Sequence, residues 1–171
     1  MLTLPRSMTD TLSERLLPAT GQSAPLLRHS FGPWPHCQAL IWEQLVDFTS
    51  WARWMPGVRA VHRLDSGPVG RGSRLQIERS FRTEIWEIIH WHCHHRLDFE
   101  IANPHCRAGF SVRLAPGIDA DHAAIRLDGE FENVTGQRLL AYLSQRRLQK
   151  SSIDWLDGFS DYFLSQNPPA D

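Results

Sequence analysis

A chain of 171 residues, 42% hydrophobic and 22% charged, is long enough for one soluble domain with a sizeable core. A formal net charge of -1, with the arginines scattered among acids, excludes the basic footprint of a nucleic-acid or anionic-membrane binder. Cys37, Cys93 and Cys106 do not make a disulfide framework, no stretch reaches the ~20 apolar residues of a membrane span, and the N-terminus carries no signal-peptide pattern, so a cytoplasmic protein is expected.

Residues 1–23 hold Pro5, Pro18 and Gly21 among polar residues and read as a loosely attached arm, with a short helix from Thr9 to Leu17. A first strand is expected over 26–31, interrupted by Pro33-Trp34-Pro35, because proline cannot donate to a sheet ladder. From His36 to Phe48 the apolar residues Leu40, Ile41, Leu45 and Phe48 recur at helical spacing. A second short helix, 50–54, must stop before Pro56.

Six strands follow, over 58–64, 73–81, 83–91, 96–102, 106–115 and 123–132, separated by turn-like segments. Phe110, Val112 and Leu114 alternate with Ser111 and Arg113, and Leu97, Phe99 and Ile101 alternate with Asp98 and Glu100. That is the pattern of antiparallel strands with one buried and one wet face. Residues 135–165 form the longest helical stretch, its apolar stripe including Leu148, Trp155, Leu156, Phe159 and Phe163. Gly158 weakens it, and a break near Lys150-Ser151-Ser152 is expected. A one-sided sheet needs a cover, and this helix is the only element large enough.

Three motifs then stand in order: Ile41-Trp42-x-x-Leu45-x-Asp47, Trp54-Met55-Pro56-Gly57-Val58, and Gly67-x-Val69-Gly70-x-Gly72 leading into a strand. With the strands and terminal helix after them, they resemble the START-related helix-grip superfamily, in particular its polyketide cyclase/dehydrase and lipid-transport (SRPBCC) group. The resemblance covers roughly residues 26–163. It implies an α+β helix-grip fold, in which a curved antiparallel sheet of about seven strands wraps a long C-terminal helix, with two short helices after the first strand. One domain over 24–166 and a tail over 167–171 are expected. The resemblance also implies an apolar cavity between sheet and helix, for a lipid, polyketide, quinone or aromatic ligand. It carries no common catalytic motif.

Strand phase and helix position nominate Trp54, His62, Ile77, Arg79, Phe99, Phe110, Val112, Ile125, Leu127, Trp155 and Phe159 as cavity residues. Two of them are polar at inward positions. His62 is in phase with Val58, Ala60 and Leu64, and Arg79 with Leu75, Ile77 and Phe81. A buried guanidinium needs a partner such as Glu78, Glu84 or Glu87, or an anionic ligand. If the protein is an enzyme, Arg79 would orient a carboxylate or enolate and His62 would move a proton, as in a cyclase or dehydratase. A single β-bulge would reverse either assignment. The favoured expectation is a binding or transport protein for a small hydrophobic molecule, without a cofactor, as monomer or homodimer. A protein-interaction module using the arm or a sheet edge is a third reading.

His90-Trp91-His92-Cys93-His94-His95 is rich in zinc-ligand chemistry, with His92, Cys93 and His94 as weak metal candidates. It lies where two strands must turn, and His105-Cys106 falls at the far end of the next strand, roughly 25–30 Å away. A solvated turn is the favoured reading. The glycine-rich 67–72 segment opens a strand rather than a helix and lacks a following Lys-Ser/Thr, so it reads as a hairpin rather than a phosphate loop.

Overall fold

A computed structural model describes residues 23–34, 36, 38–102, 106–116, 123–134 and 138–168. The N-terminal arm before Ser23 and Cys37 lie outside the described residues. The elements are β1 (Ser23–Trp34), α1 (Gln38–Val46), a short 3-10 turn (Phe48–Ser50), α2 (Trp51–Trp54), β2 (Val58–Arg63), β3 (Arg74–Arg79), β4 (Arg82–His92), β5 (Arg96–Ala102), β6 (Cys106–Pro116), β7 (Ala123–Asn133) and α3 (Arg138–Gln166). The strands form one seven-stranded sheet in the order β1-β7-β6-β5-β4-β3-β2, antiparallel throughout. The chain thus starts at one edge, crosses through α1 and α2 to the other, and returns as a meander. Helix α3 packs against β1, β7 and α2. This is the helix-grip architecture expected from the sequence.

The core is aromatic. Trp51 is fully buried, and its ring lies 5.1–6.3 Å from those of Phe48, Trp54, Trp86, Phe99 and Trp155, mostly edge to face. Its Nε1 donates to the Leu45 carbonyl at 3.0 Å, which ties the helical corner to the packed rings. Trp34, Phe159 and Phe163 continue the cluster under β1.

Four local features differ from the sequence expectation, each for a physical reason. Strand β1 continues through Gly32-Pro33 to Trp34, because an edge strand with a register shift between Phe31 and Trp34 has room for a proline. Strand β3 ends at Arg79, so Phe81 sits in the β3–β4 turn and is wholly exposed instead of sharing the inward face. Helix α3 is unbroken at Lys150-Ser151-Ser152, where Ser152 Oγ donates back to the Leu148 carbonyl at 2.7 Å. Gly158 is a contact point rather than a weak one. A Cβ there would fall far inside contact distance of the Trp54 carbonyl oxygen and 3.4 Å from Pro56 Cδ.

The Trp54-Met55-Pro56-Gly57 corner has the chemistry of a type II turn: Val58 N–H donates to the Met55 carbonyl at 3.2 Å, and Gly57 takes φ +74°. In the β2–β3 connection the positive φ values fall on Gly67 and Gly72, while Gly70 needs none. Asp65 holds this connection together. Its carboxylate accepts from Arg74 N–H at 2.7 Å, Arg63 Nη2 at 2.9 Å and Ser73 Oγ at 3.2 Å. The Arg74 amide, with the Arg63 and Ser73 side chains, holds the Asp65 pKa below the ordinary aspartate value against its burial. A depressed folded-state pKa contributes stability above the unfolded value of ~3.9, and that contribution is lost as the pH falls through the lower folded value. Asp65→Asn should therefore lower the urea midpoint at about pH 7, with the deficit shrinking toward about pH 3. An equal deficit at both pH values would contradict this role.

Candidate functional site

Between the inner sheet face and α3 lies an apolar cavity of about 20 Å³, room for about one or two water molecules. Trp86 of β4, Phe99 and Ile101 of β5, Phe110 and Val112 of β6 and Leu127 of β7 form its sheet side. Their register explains the alignment: Trp86 pairs with Ile101, Phe99 with Phe110, and Val112 with both Leu97 and Leu127. Leu148, Ser151, Ser152 and Trp155 close it from α3, and Met55 from the corner.

The polar end is built by Arg79, Arg82 and Glu84, which also line the cavity. Because Ile77 pairs with Glu84 and Leu75 with Trp86, Glu84 shares the inward face of β4. Its carboxylate accepts from Arg79 Nε at 3.1 Å and from Trp86 Nε1 at 3.0 Å, and it pairs with Arg82. Arg79 Nη1 donates to the Pro56 carbonyl at 3.1 Å, so the same guanidinium anchors the corner. The Arg79 and Glu84 side chains are 12% and 10% exposed, so this pair is largely desolvated, in contrast to the ion pairs of the outer face.

The sequence-nominated residues divide into three groups. Arg79, Phe99, Phe110, Val112, Leu127 and Trp155 lie on the cavity wall. Trp54, Ile77, Ile125 and Phe159 are buried in the packed core and do not reach it; Trp54, for instance, packs on Phe159 and donates to Ser50 Oγ. His62 is on the opposite face, 3.5 Å from Glu78 with its side chain 56% exposed. The cause is a bulge between Val58 and Ala60. Val58 still faces inward opposite Arg79, but Val61 and Arg63 then take the inward positions opposite Ile77 and Leu75. His62 and Arg79 therefore share no void.

Arg82, Met55, Ile101, Leu148 and the serine pair were not nominated from the sequence, and Glu84 was named there as a possible partner of Arg79 but not as a cavity residue. Glu84 carried a usable signal, being a polar residue in phase with Trp86 and Ile88 on a buried face. In the His90–His95 hairpin, Cys93 is exposed, His94 adopts φ 61°, and the His92 and His95 rings lie 4.8 Å apart. Among the described residues no three His, Cys, Asp or Glu side chains are grouped to hold a metal ion.

A second depression, about 250 Å³ and open, lies on the outer face around Gly109 and Ser111. Its charges are largely paired internally. Asp98 is held by Arg96 at 2.6 Å, and Asp128 by Arg28 and Arg126 at 3.0 and 2.9 Å. Burial pushes the Asp128 pKa up, but the two guanidiniums outweigh it and hold it below the usual aspartate value. This surface is open and salt-bridged, with Ile89 and Phe110 as its large apolar side chains, whereas the inner cavity is walled by apolar side chains from four strands and a helix, so the inner cavity is the candidate site.

Residues 38–154 match the model of the family described as polyketide cyclase/dehydrase and lipid transport. The chain belongs to this family. Likenesses to solved structures, each at low identity, agree in fold. The fold is similar to that of Ara h 8.0201, at 15% identity and TM-score 0.65, over 84% of this chain and 99% of that one. It is similar to XoxI from Bacillus cereus, at 14% identity and TM-score 0.64, over 84% and 98%. It is also similar to one half of the di-domain ARO/CYC protein BexL from the BE-7585A biosynthetic pathway, at 15% identity and TM-score 0.66, over 86% of this chain and 48% of that one. No curated protein sequence matches the chain. Among the described residues no helix is long and apolar enough to cross a membrane.

Proposed function

We propose that the protein binds a small hydrophobic molecule in the cavity between the sheet and α3. The observation that carries this reading is the cavity wall itself: apolar side chains from four consecutive strands converge beneath a helix, with charged groups gathered at one end only. Family membership supports the same ligand class. At about 20 Å³ the cavity admits a larger guest only if side chains move. Met55 is the unbranched, flexible member of the wall, and it and Leu148 stand on the corner and the helix rather than on the sheet. We read the space between the β3–β4 turn and α3 as the route of access.

The cyclase or dehydratase reading has less support. It relied on His62 and Arg79 meeting in one void, and His62 faces solvent on the other side of the sheet. Glu84 does reach the cavity, but its carboxylate is engaged by Arg79, Arg82 and Trp86.

Native mass spectrometry of the purified protein with fatty acids, quinones, sterols and polyketides tests the binding reading. Retention of one ligand class in equimolar complex is expected, and Val112→Phe, which fills the wall, should abolish it. A protein that retains no member of the panel would contradict the reading.

A further inference from the structure

We infer that the protein has a second binding site, outside the cavity, for an organic phosphate. Arg82 and Arg147 hold the phosphate oxygens, and Phe81 covers the organic group.

An open depression of about 360 Å³ lies between the β3–β4 turn and α3, lined by Gly57, Arg79, Ser80, Phe81, Arg82 and Arg147. Three guanidiniums stand around it, and no acid among the described residues lines it. The carboxylate paired with them is that of Glu84, which engages Arg79 at 3.1 Å and also Arg82. Three positive charges against one negative leave two positive, in a chain whose net charge is -1. The Arg79 nitrogens are spent on Glu84, the Pro56 carbonyl and the Met55 sulfur. Arg147 is exposed, with no ion-pair or hydrogen-bond partner among the described residues. The Arg82 side chain is 36% exposed beyond its contact with Glu84. Arg82 and Arg147, on two separate elements, are therefore the groups left to meet an anion. A surplus of two charges matches a phosphate monoester, close to -2 at neutral pH, better than a carboxylate at -1.

The β3–β4 turn argues for an organic group beside the phosphate. Arg79 pairs with Arg82, so Ser80 and Phe81 alone make the loop. Loops this short favour Asn-Gly or a leading glycine, because positive φ there matches the twist of the strands. Neither Ser80 nor Phe81 takes positive φ, so the phenylalanine does not serve the turn. It does not serve the core either, being wholly exposed. One exposed apolar side chain is ordinary on any surface. This one stands at the arginine-lined depression, where its ring can cover the organic part of an ester whose phosphate the arginines hold.

Calorimetric titration of the full chain at low ionic strength with phenyl phosphate, inorganic phosphate and benzoate separates the contributions. Phenyl phosphate should bind tightest, with benzoate, which carries the ring and a single charge, roughly tenfold weaker. Arg147→Gln should weaken phenyl phosphate and inorganic phosphate alike, each by roughly tenfold, the worth of one charge-assisted hydrogen bond. Phe81→Ser should bring phenyl phosphate down to the level of inorganic phosphate and leave inorganic phosphate unchanged. Both positions are exposed, so both variants keep the core. Co-sedimentation with phosphatidylcholine vesicles carrying phosphatidic acid identifies the source of the phosphate. Vesicle binding lost in both variants places it on a lipid headgroup, and binding of the soluble probe alone places it on a free ester; either supports the site. A wild type that binds neither phenyl phosphate nor the vesicles, benzoate as tight as phenyl phosphate, or phosphate binding untouched by Arg147→Gln would overturn the inference. The reading of the cavity would stand in each of those cases, since it uses neither Phe81 nor Arg147.

Discussion

Gly158→Ala should destabilise the protein by about 3 kcal/mol, against a helix-propensity gain of about 1 kcal/mol in the opposite direction. The two contributions have opposite signs, so the sign of the change decides between them. Helix α3 crosses the corner with Gly158 directly over the Trp54 carbonyl, and an alanine Cβ has no space there. The obstructing atom is backbone and cannot rotate away. It is held by the Met55 N–H to Trp51 carbonyl bond at 2.8 Å, by Pro56 on the next turn, and by the Trp54 ring wedged between Trp155 and Phe159. Relief requires lifting the helix and opening the aromatic core beneath it. Urea denaturation of the two proteins measures this directly; an alanine variant as stable as the parent, or more stable, would show that α3 does not seat on the corner in this way.

Glu84→Ala should cost about 3–5 kcal/mol, the range for removing one partner of a buried ion pair. The loss has two parts. Arg79 keeps its bond to the Pro56 carbonyl but loses its counter-charge in a site where its side chain is 12% exposed, and Trp86 Nε1 loses its acceptor. Arg82 contributes little, because its side chain is 36% exposed and water can replace the carboxylate. Glu84→Gln retains an acceptor for Trp86 and should cost less than the alanine change. Equal costs for the two would place the penalty in packing rather than in charge and hydrogen bonding.

Much of this fold was legible because it is written in local chemistry. Alternation along β5, β6 and β7 gave the inward residues, and Pro56-Gly57 gave the corner that turns α2 into β2. Those signals depend on neighbours in the chain. His62 was misplaced because the bulge at Val58–Ala60 adds one residue without any glycine or proline to mark it, and a shift of one residue sends every later side chain to the other face. Gly158 was read as a helix weakness because propensity sees only the helix, whereas its reason lies in the carbonyl of Trp54, about a hundred residues earlier in the chain. The size of the cavity was not legible at all. An excess of aromatic residues suits a pocket and a packed core equally well. Here Trp51, Trp54 and Phe159 fill the space that the sequence assigned in part to a ligand, and Trp155 is left at its border.

The most direct test of the cavity as the binding site is the map of backbone and side-chain resonance shifts when ethylbenzene or acetophenone is titrated into the protein. Shifts concentrated at Phe99, Phe110, Val112, Leu127, Leu148 and Trp155, and lost in Val112→Phe, are expected. Shifts centred instead on the outer depression around Gly109, Ser111 and Arg113, or a spectrum unchanged at saturating probe, would contradict it.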